Sequence, residues 1–210
     1  MSDELGGMRG RPCPRHEDVL IAIDHAFGRD GAAAVDAALD ELAGLLPAAA
    51  VGEDPLHELA CVAGVIHHRF VADEDGPLSL SETLAGGGGH PLVLAGAALA
   101  AAHRRFLRIA LVGQGRRVWL AHAAATTPQV VDPRDAATTF DGRTLGIDLR
   151  WRCAHELGGL VISAIRERAE RQGDLTTALR AAELRLDLPL SETAARADRR
   201  HLQRLRARLN

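Results

Sequence analysis

Lysine and tyrosine are missing from this chain, and aromatic residues make up only 3% of it. Without bulky rings, alanine, leucine and valine must fill the interior of a chain that is 47% hydrophobic. At 210 residues it suits one domain with a helical appendage, or two small ones, and burial of roughly 70% of the unfolded surface. All positive side chains except histidine are arginine, which reads most simply as biased base composition in the source genome rather than a selected surface chemistry. The net charge of −3 argues against general nucleic-acid affinity, which rests on phosphate neutralisation. Cysteines are few: Cys13, Cys61 and Cys153 lie far apart and form no CxxC, so neither a disulfide framework nor a metal site is expected. No apolar run is long enough to span a bilayer without charges, and residues 1–15 lack the apolar core of a signal peptide. The expectation is a cytoplasmic protein that does not contact membranes.

Against these absences stands one strong local feature. Gly86-Gly87-Gly88-Gly89-His90-Pro91-Leu92-Val93-Leu94 leads into an almost wholly apolar stretch from Ala95 to Ala102. Proline suits the first helical position, because its missing amide would have no partner there. The glycine run lacks the Lys-Ser/Thr of a nucleotide-binding loop. It reads as a flexible connector, and no cofactor is expected.

Upstream, Glu17 to Phe27 reads as a short helix. Asp30 is placed to cap a second, with Val35, Leu39, Leu42 and Leu46 on one face, and Asp54-Pro55 opens a third. Ser79 or Ser81 is placed to cap a short turn. Downstream, Phe106–Val112, Arg117–Ala121 and Gln129–Val131 suggest a small antiparallel meander, followed by a polar loop from Arg134 to Gly146. The last third is helical, with a Gly173-Asp174 break and an arginine-rich final helix whose default role is a solvated face.

Histidines 57, 67 and 68 lack an i+4 histidine partner, so no zincin-type metal pair is expected. Cys61, mid-helix, reads as a small buried hydrophobe. Cys153 and His155 are neighbours at i and i+2, which do not face each other on a helix. His122 ends a strand. Period two would place it with Arg116, Val118 and Leu120, and near Asp132, though a histidine facing solvent is the simpler reading. Asp132 reads as an ion-pair partner of Arg116 or a cap for the turn at Pro133.

The order of these segments resembles the SirB1-type branch of the transglutaminase-like superfamily. The likeness is carried by Leu39-Asp40-Glu41-Leu42-Ala43, the helix from Leu59 to Phe70, Ser79-Leu80-Ser81-Glu82-Thr83-Leu84, Gly89-His90-Pro91-Leu92-Val93-Leu94 and Val131-Asp132-Pro133. It implies an α+β fold: a papain-like helical lobe on a small antiparallel sheet, then tetratricopeptide-like C-terminal helices. The expected division is a flexible segment 1–16, a transglutaminase-like domain 17–147, and helices 148–210 packed upon it.

In the wider superfamily a cysteine, a histidine and an aspartate form a papain-like triad in the cleft. By the resemblance, the nucleophile position here falls at Val93 or Leu94, the histidine position at Arg116, and only Asp132 keeps its residue. Arginine does not deprotonate in proteins and cannot act as a general base. The implied role is a non-catalytic binding or structural module for a protein or peptide, with Arg116, His90 and Asp132 at the binding cleft. The alternative is a hydrolase or acyl transferase with a rearranged site, pairing His122 and Asp132 with Ser79, Ser81 or Cys61. Its requirement is a hydroxyl or thiol beside the His122 imidazole. A weaker third reading is nucleic-acid binding by the basic C-terminal helix.

Overall fold

The computed structural model describes residues 13–49, 54–126, 128–146, 148–189 and 191–208. Helices α1 (His16–Ala26), α2 (Ala32–Gly44) and α3 (Pro55–Arg69) open the fold. A two-residue strand β1 (Val71–Ala72), helix α4 (Leu80–Gly86) and strand β2 (Gly88–Gly89) lead to the central helix α5 (Pro91–Arg104). Strands β3 (Ile109–Gln114), β4 (Arg117–His122), β5 (Gln129–Asp132) and β6 (Asp135–Asp141) follow, then β7 (Arg150–Arg152). Three helices close the chain: α6 (Ala154–Gln172), α7 (Leu175–Asp187) and α8 (Glu192–Ala207). The architecture is mixed α+β, with an antiparallel sheet in the order β6-β5-β4-β3-β7.

Helix α5 is the axis of the core. Every residue from Pro91 to Ala102 is buried, which an alanine-rich helix permits because small side chains let neighbouring elements close in on all sides. Its far end is fixed by charge. Arg104 Nη1 donates to Glu17 Oε1 of α1 at 2.9 Å, and the same guanidinium meets Asp36 and Asp40 of α2. One hydrophobic cluster joins residues from Val19 to Leu188, on both sides of position 147, and a second lies on the sheet around Val112, Trp119, Ala121 and Val130. Strand β7 completes the sheet beside β3, which places residues 150–152 in the body rather than in the helical appendage. A smaller apolar cluster holds α8 on α6 and α7 through Leu202 and Leu205. Among the described residues, no helix is long and apolar enough to cross a membrane.

Several local expectations are corrected. Gly31, not Asp30, occupies the N-cap of α2, and no side chain caps it. The glycine run is not a flexible connector. Gly87 closes α4 in the left-handed region at φ 68°, and Gly88 and Gly89 pair in parallel with Val71 and Ala72. A Cβ at Gly89 would collide with the Thr83 side chain, so glycine is required by close packing there. The polar stretch from Arg134 to Gly146 is an edge strand and a 3₁₀ turn. Its Asp-Ala-Ala-Thr-Thr-Phe-Asp pattern lacks the apolar alternation that would mark it. Most of the expected flexible segment 1–16 lies outside the described residues; its end, Cys13 to Arg15, is described, and His16 already begins α1.

Candidate functional site

The expected cleft residues gather at the N-terminal end of α5. His90 caps this helix: its Nδ1 accepts the Leu92 N–H at 3.2 Å, and its own N–H donates to Pro77 O at 2.9 Å. Its Nε2 faces Glu74 Oε2 at 3.3 Å. Burial lowers the His90 pKa below the ordinary imidazole value, with Glu74 opposing the shift and Arg168 adding to it. The ring is therefore neutral at pH 7.

Beyond His90 opens a cavity of about 420 Å³ between the 74–78 loop, the β3–β4 hairpin and one face of α6. A smaller cavity beside it reaches Asp132 and shares Glu74, His90, Leu92, Arg116, Arg117 and Arg134 with the first. Together they are lined by five guanidiniums, from Arg116, Arg117, Arg134, Arg168 and Arg171, and by the carboxylates of Glu74, Asp75, Asp132 and Glu167. One positive charge is in excess. Four of the arginines are engaged. Arg116 grips Glu167 of α6 with both terminal nitrogens, and Arg168 donates to the carbonyls of Gly76 and Glu74 at 2.8 and 3.0 Å. Arg134 holds Asp132, and Arg171 lies 3.9 Å from Asp75. Among the described residues, the guanidinium of the exposed Arg117 lines the cleft with no hydrogen-bond or ion-pair partner.

The sheet brings Asp132 to the cleft through an irregularity between Val131 and Asp132. Its Oδ1 accepts the Arg134 backbone N–H and the Arg134 Nε, each at 3.0 Å. Asp132 thus caps the turn at Pro133, and its ion-pair partner is Arg134 and not Arg116. Arg116 itself lies in the hairpin turn, just before β4 begins.

His122 does not join this group. It is 5% exposed rather than facing solvent, and Glu58, not Asp132, is its partner. Its Nδ1 accepts the Ala124 N–H at 3.1 Å, so Nε2 carries the proton and donates to Glu58 Oε2 at 2.8 Å. The pairing of Leu120 with Val131 places Asp132 three residues along the ladder from His122, roughly 10 Å away. Among the described residues, neither a hydroxyl nor a thiol is bonded to the His122 ring. Ser79 and Ser81 bond each other at 2.9 Å at the start of α4, and Cys61 sits half-buried 3.6 Å from His57 Nε2. Among the described residues, the one hydroxyl lining the cleft, Ser163, donates to Gly159 O at 2.7 Å within its own helix.

Sequence reasoning missed the α6 wall of the cleft, because Ser163, Glu167, Arg168 and Arg171 look like any solvated helical face. It also missed a cluster elsewhere: the donor atoms of Cys13, Cys153 and His155 lie within 4.8 Å of one another. The i, i+2 argument against Cys153 and His155 fails because Cys153 is the N-cap of α6, with extended φ −92° and ψ 172°. No protein-family model matches the chain, and no curated protein or solved structure matches it.

Proposed function

We propose that this chain is a non-catalytic binding module of transglutaminase-like build, whose cleft holds a carboxylate-bearing segment of a protein or peptide partner. One observation carries the reading: the groups at the cleft are committed to each other, except for a free guanidinium. Val93 and Leu94 stand at the position the resemblance gives to a nucleophile, and Arg116, clamped by Glu167, stands at the position of the base. Asp132 is tied to Arg134, and His90 spends one nitrogen on its own helix. Among the described residues, attack and proton transfer have no uncommitted agent in this site. Anion recognition does, because Arg117 offers a planar fork of donors with no internal competitor.

A fluorescent hexaglutamate peptide titrated into the full chain tests this. The reading expects saturable binding that weakens with added salt and drops about tenfold or more in Arg117→Glu, while a hexaglutamine control does not bind. Equal affinity for both peptides, or binding indifferent to Arg117→Glu, would overturn it.

A further inference from the structure

The side chains of Cys13, Cys153 and His155 converge from two distant parts of the chain. Cys13 is exposed and precedes α1, while Cys153 and His155 stand at the first turn of α6. The Cys13 sulfur lies 3.7 Å from His155 Nδ1, across 142 residues of sequence. Two cysteines and a histidine are the donor set that a thiophilic d¹⁰ cation prefers, and three protein ligands leave one coordination position open. With Zn–S near 2.3 Å and Zn–N near 2.0–2.1 Å, ligand atoms on a tetrahedron stand about 3.5–3.8 Å apart. The observed sulfur–nitrogen separation falls in that range, and a mutual spacing within 4.8 Å needs only side-chain rotation to close on an ion.

The surroundings suit a metal thiolate. Cys153 stands at the N-cap of a 19-residue helix, with the positive end of the helix behind its sulfur; burial raises the thiol's pKa, and the backbone N–H groups of Glu156 and His155 oppose that shift. Glu156 accepts the Cys153 N–H at 3.0 Å, which fixes the cysteine backbone. Its single negative charge is more than answered by Arg150 and Arg152 at 3.2 and 2.8 Å, so Glu156 is held away from the ion as a partner of the two arginines. Two thiolates and a neutral imidazole would balance a divalent ion. His155 is 9% exposed, and neither of its nitrogens has an oxygen partner: Nδ1 meets only the Cys13 sulfur, and Nε2 has no partner among the described residues. Ligation through Nδ1, the nitrogen that faces the Cys13 sulfur, would replace a weak thiol contact with a metal bond and leave the ring proton on Nε2.

We propose that Cys13, Cys153 and His155 bind one Zn²⁺, with water in the fourth position, and that the ion ties the chain preceding α1 to the start of α6. Binding replaces the two thiol protons, which leave to solvent, so affinity rises with pH. This site is separate from the arginine-lined cleft and stands or falls independently of it.

The test is titration of the full-length, reduced, metal-free chain with Co²⁺ and then Zn²⁺, with the bound metal measured per chain. The expected result is one ion per chain, a thiolate-to-cobalt charge-transfer band that Zn²⁺ abolishes, and a raised melting temperature. Cys13→Ser, at an exposed position that leaves the core intact, should lose the band and weaken Zn²⁺ binding by about 100-fold or more, and His155→Asn should do the same. Cys61→Ser should match the parent chain. A missing band, binding unchanged in Cys13→Ser, or loss of the band in Cys61→Ser would overturn the proposal. So would a Cys13–Cys153 disulfide in freshly isolated protein, shown by mass spectrometry without reductant.

Discussion

His122 Nε2 donates to Glu58 Oε2 at 2.8 Å, and both side chains are buried between β4 and α3. A histidine that looks like a catalytic base in the sequence is therefore a strut between sheet and helix. Truncating one partner leaves the other buried without its mate, so Glu58→Ala should lose roughly 3–5 kcal/mol by denaturant unfolding. The double variant Glu58→Leu, His122→Leu should lose much less than the two single losses added together. Additive losses would show that the pair does not couple.

His16 supplies a pH dependence. Burial, reinforced by His103 with ring centroids 6.1 Å away, lowers its pKa from 6.5 to about 4. In the unfolded chain the ring takes up a proton near pH 6.5, while the folded chain resists until about pH 4. Stability therefore falls as pH drops through that window, by at most about 3 kcal/mol, and this term is absent above it. Unfolding of the parent chain and of His16→Gln, compared across the window, should show a steeper acid loss in the parent. Parallel slopes would contradict the assignment.

Two helical glycines should respond with opposite sign to alanine. A Cβ at Gly158 of α6 would run into Cγ1 of Val19 on α1, a β-branched side chain with little rotamer freedom. Gly158→Ala should destabilise by about 1–2 kcal/mol, the helix-propensity gain failing to offset the clash. Gly64 of α3 has open space around its Cα, so Gly64→Ala should stabilise by about 0.5–1 kcal/mol. Thermal melts of the two variants would separate them.

What was legible in the sequence was the part that local chemistry dictates. Asp54-Pro55, His90-Pro91 and Gly173-Asp174 mark helix ends by proline, glycine and capping preferences, and the elements begin or end there. The three apolar runs of the meander became β3, β4 and β5, shifted by up to three residues. Long-range pairings left no such trace. The Asp135–Asp141 strand is held by its partner's register, and the Gly88-Gly89 bridge depends on Thr83 and Val71 lying against it. At the cleft, Arg116 and Asp132 were recognisable as a pair of positions. Their true partners, Glu167 and Arg134, emerge only when α6 folds back and the turn at Pro133 closes. Cys13 and Cys153 show the same limit: spacing cannot reveal side chains brought together when the segment before α1 lies against the start of α6.

The most direct test of a cleft built to bind rather than to react is a turnover screen of the purified full chain. It would cover peptidase, amidase and acyl-transfer substrates, with thiol- and hydroxyl-directed covalent probes alongside. No turnover and no probe labelling at Ser163 are expected. Turnover abolished by a single cleft substitution, Asp132→Ala or Ser163→Ala, would contradict it.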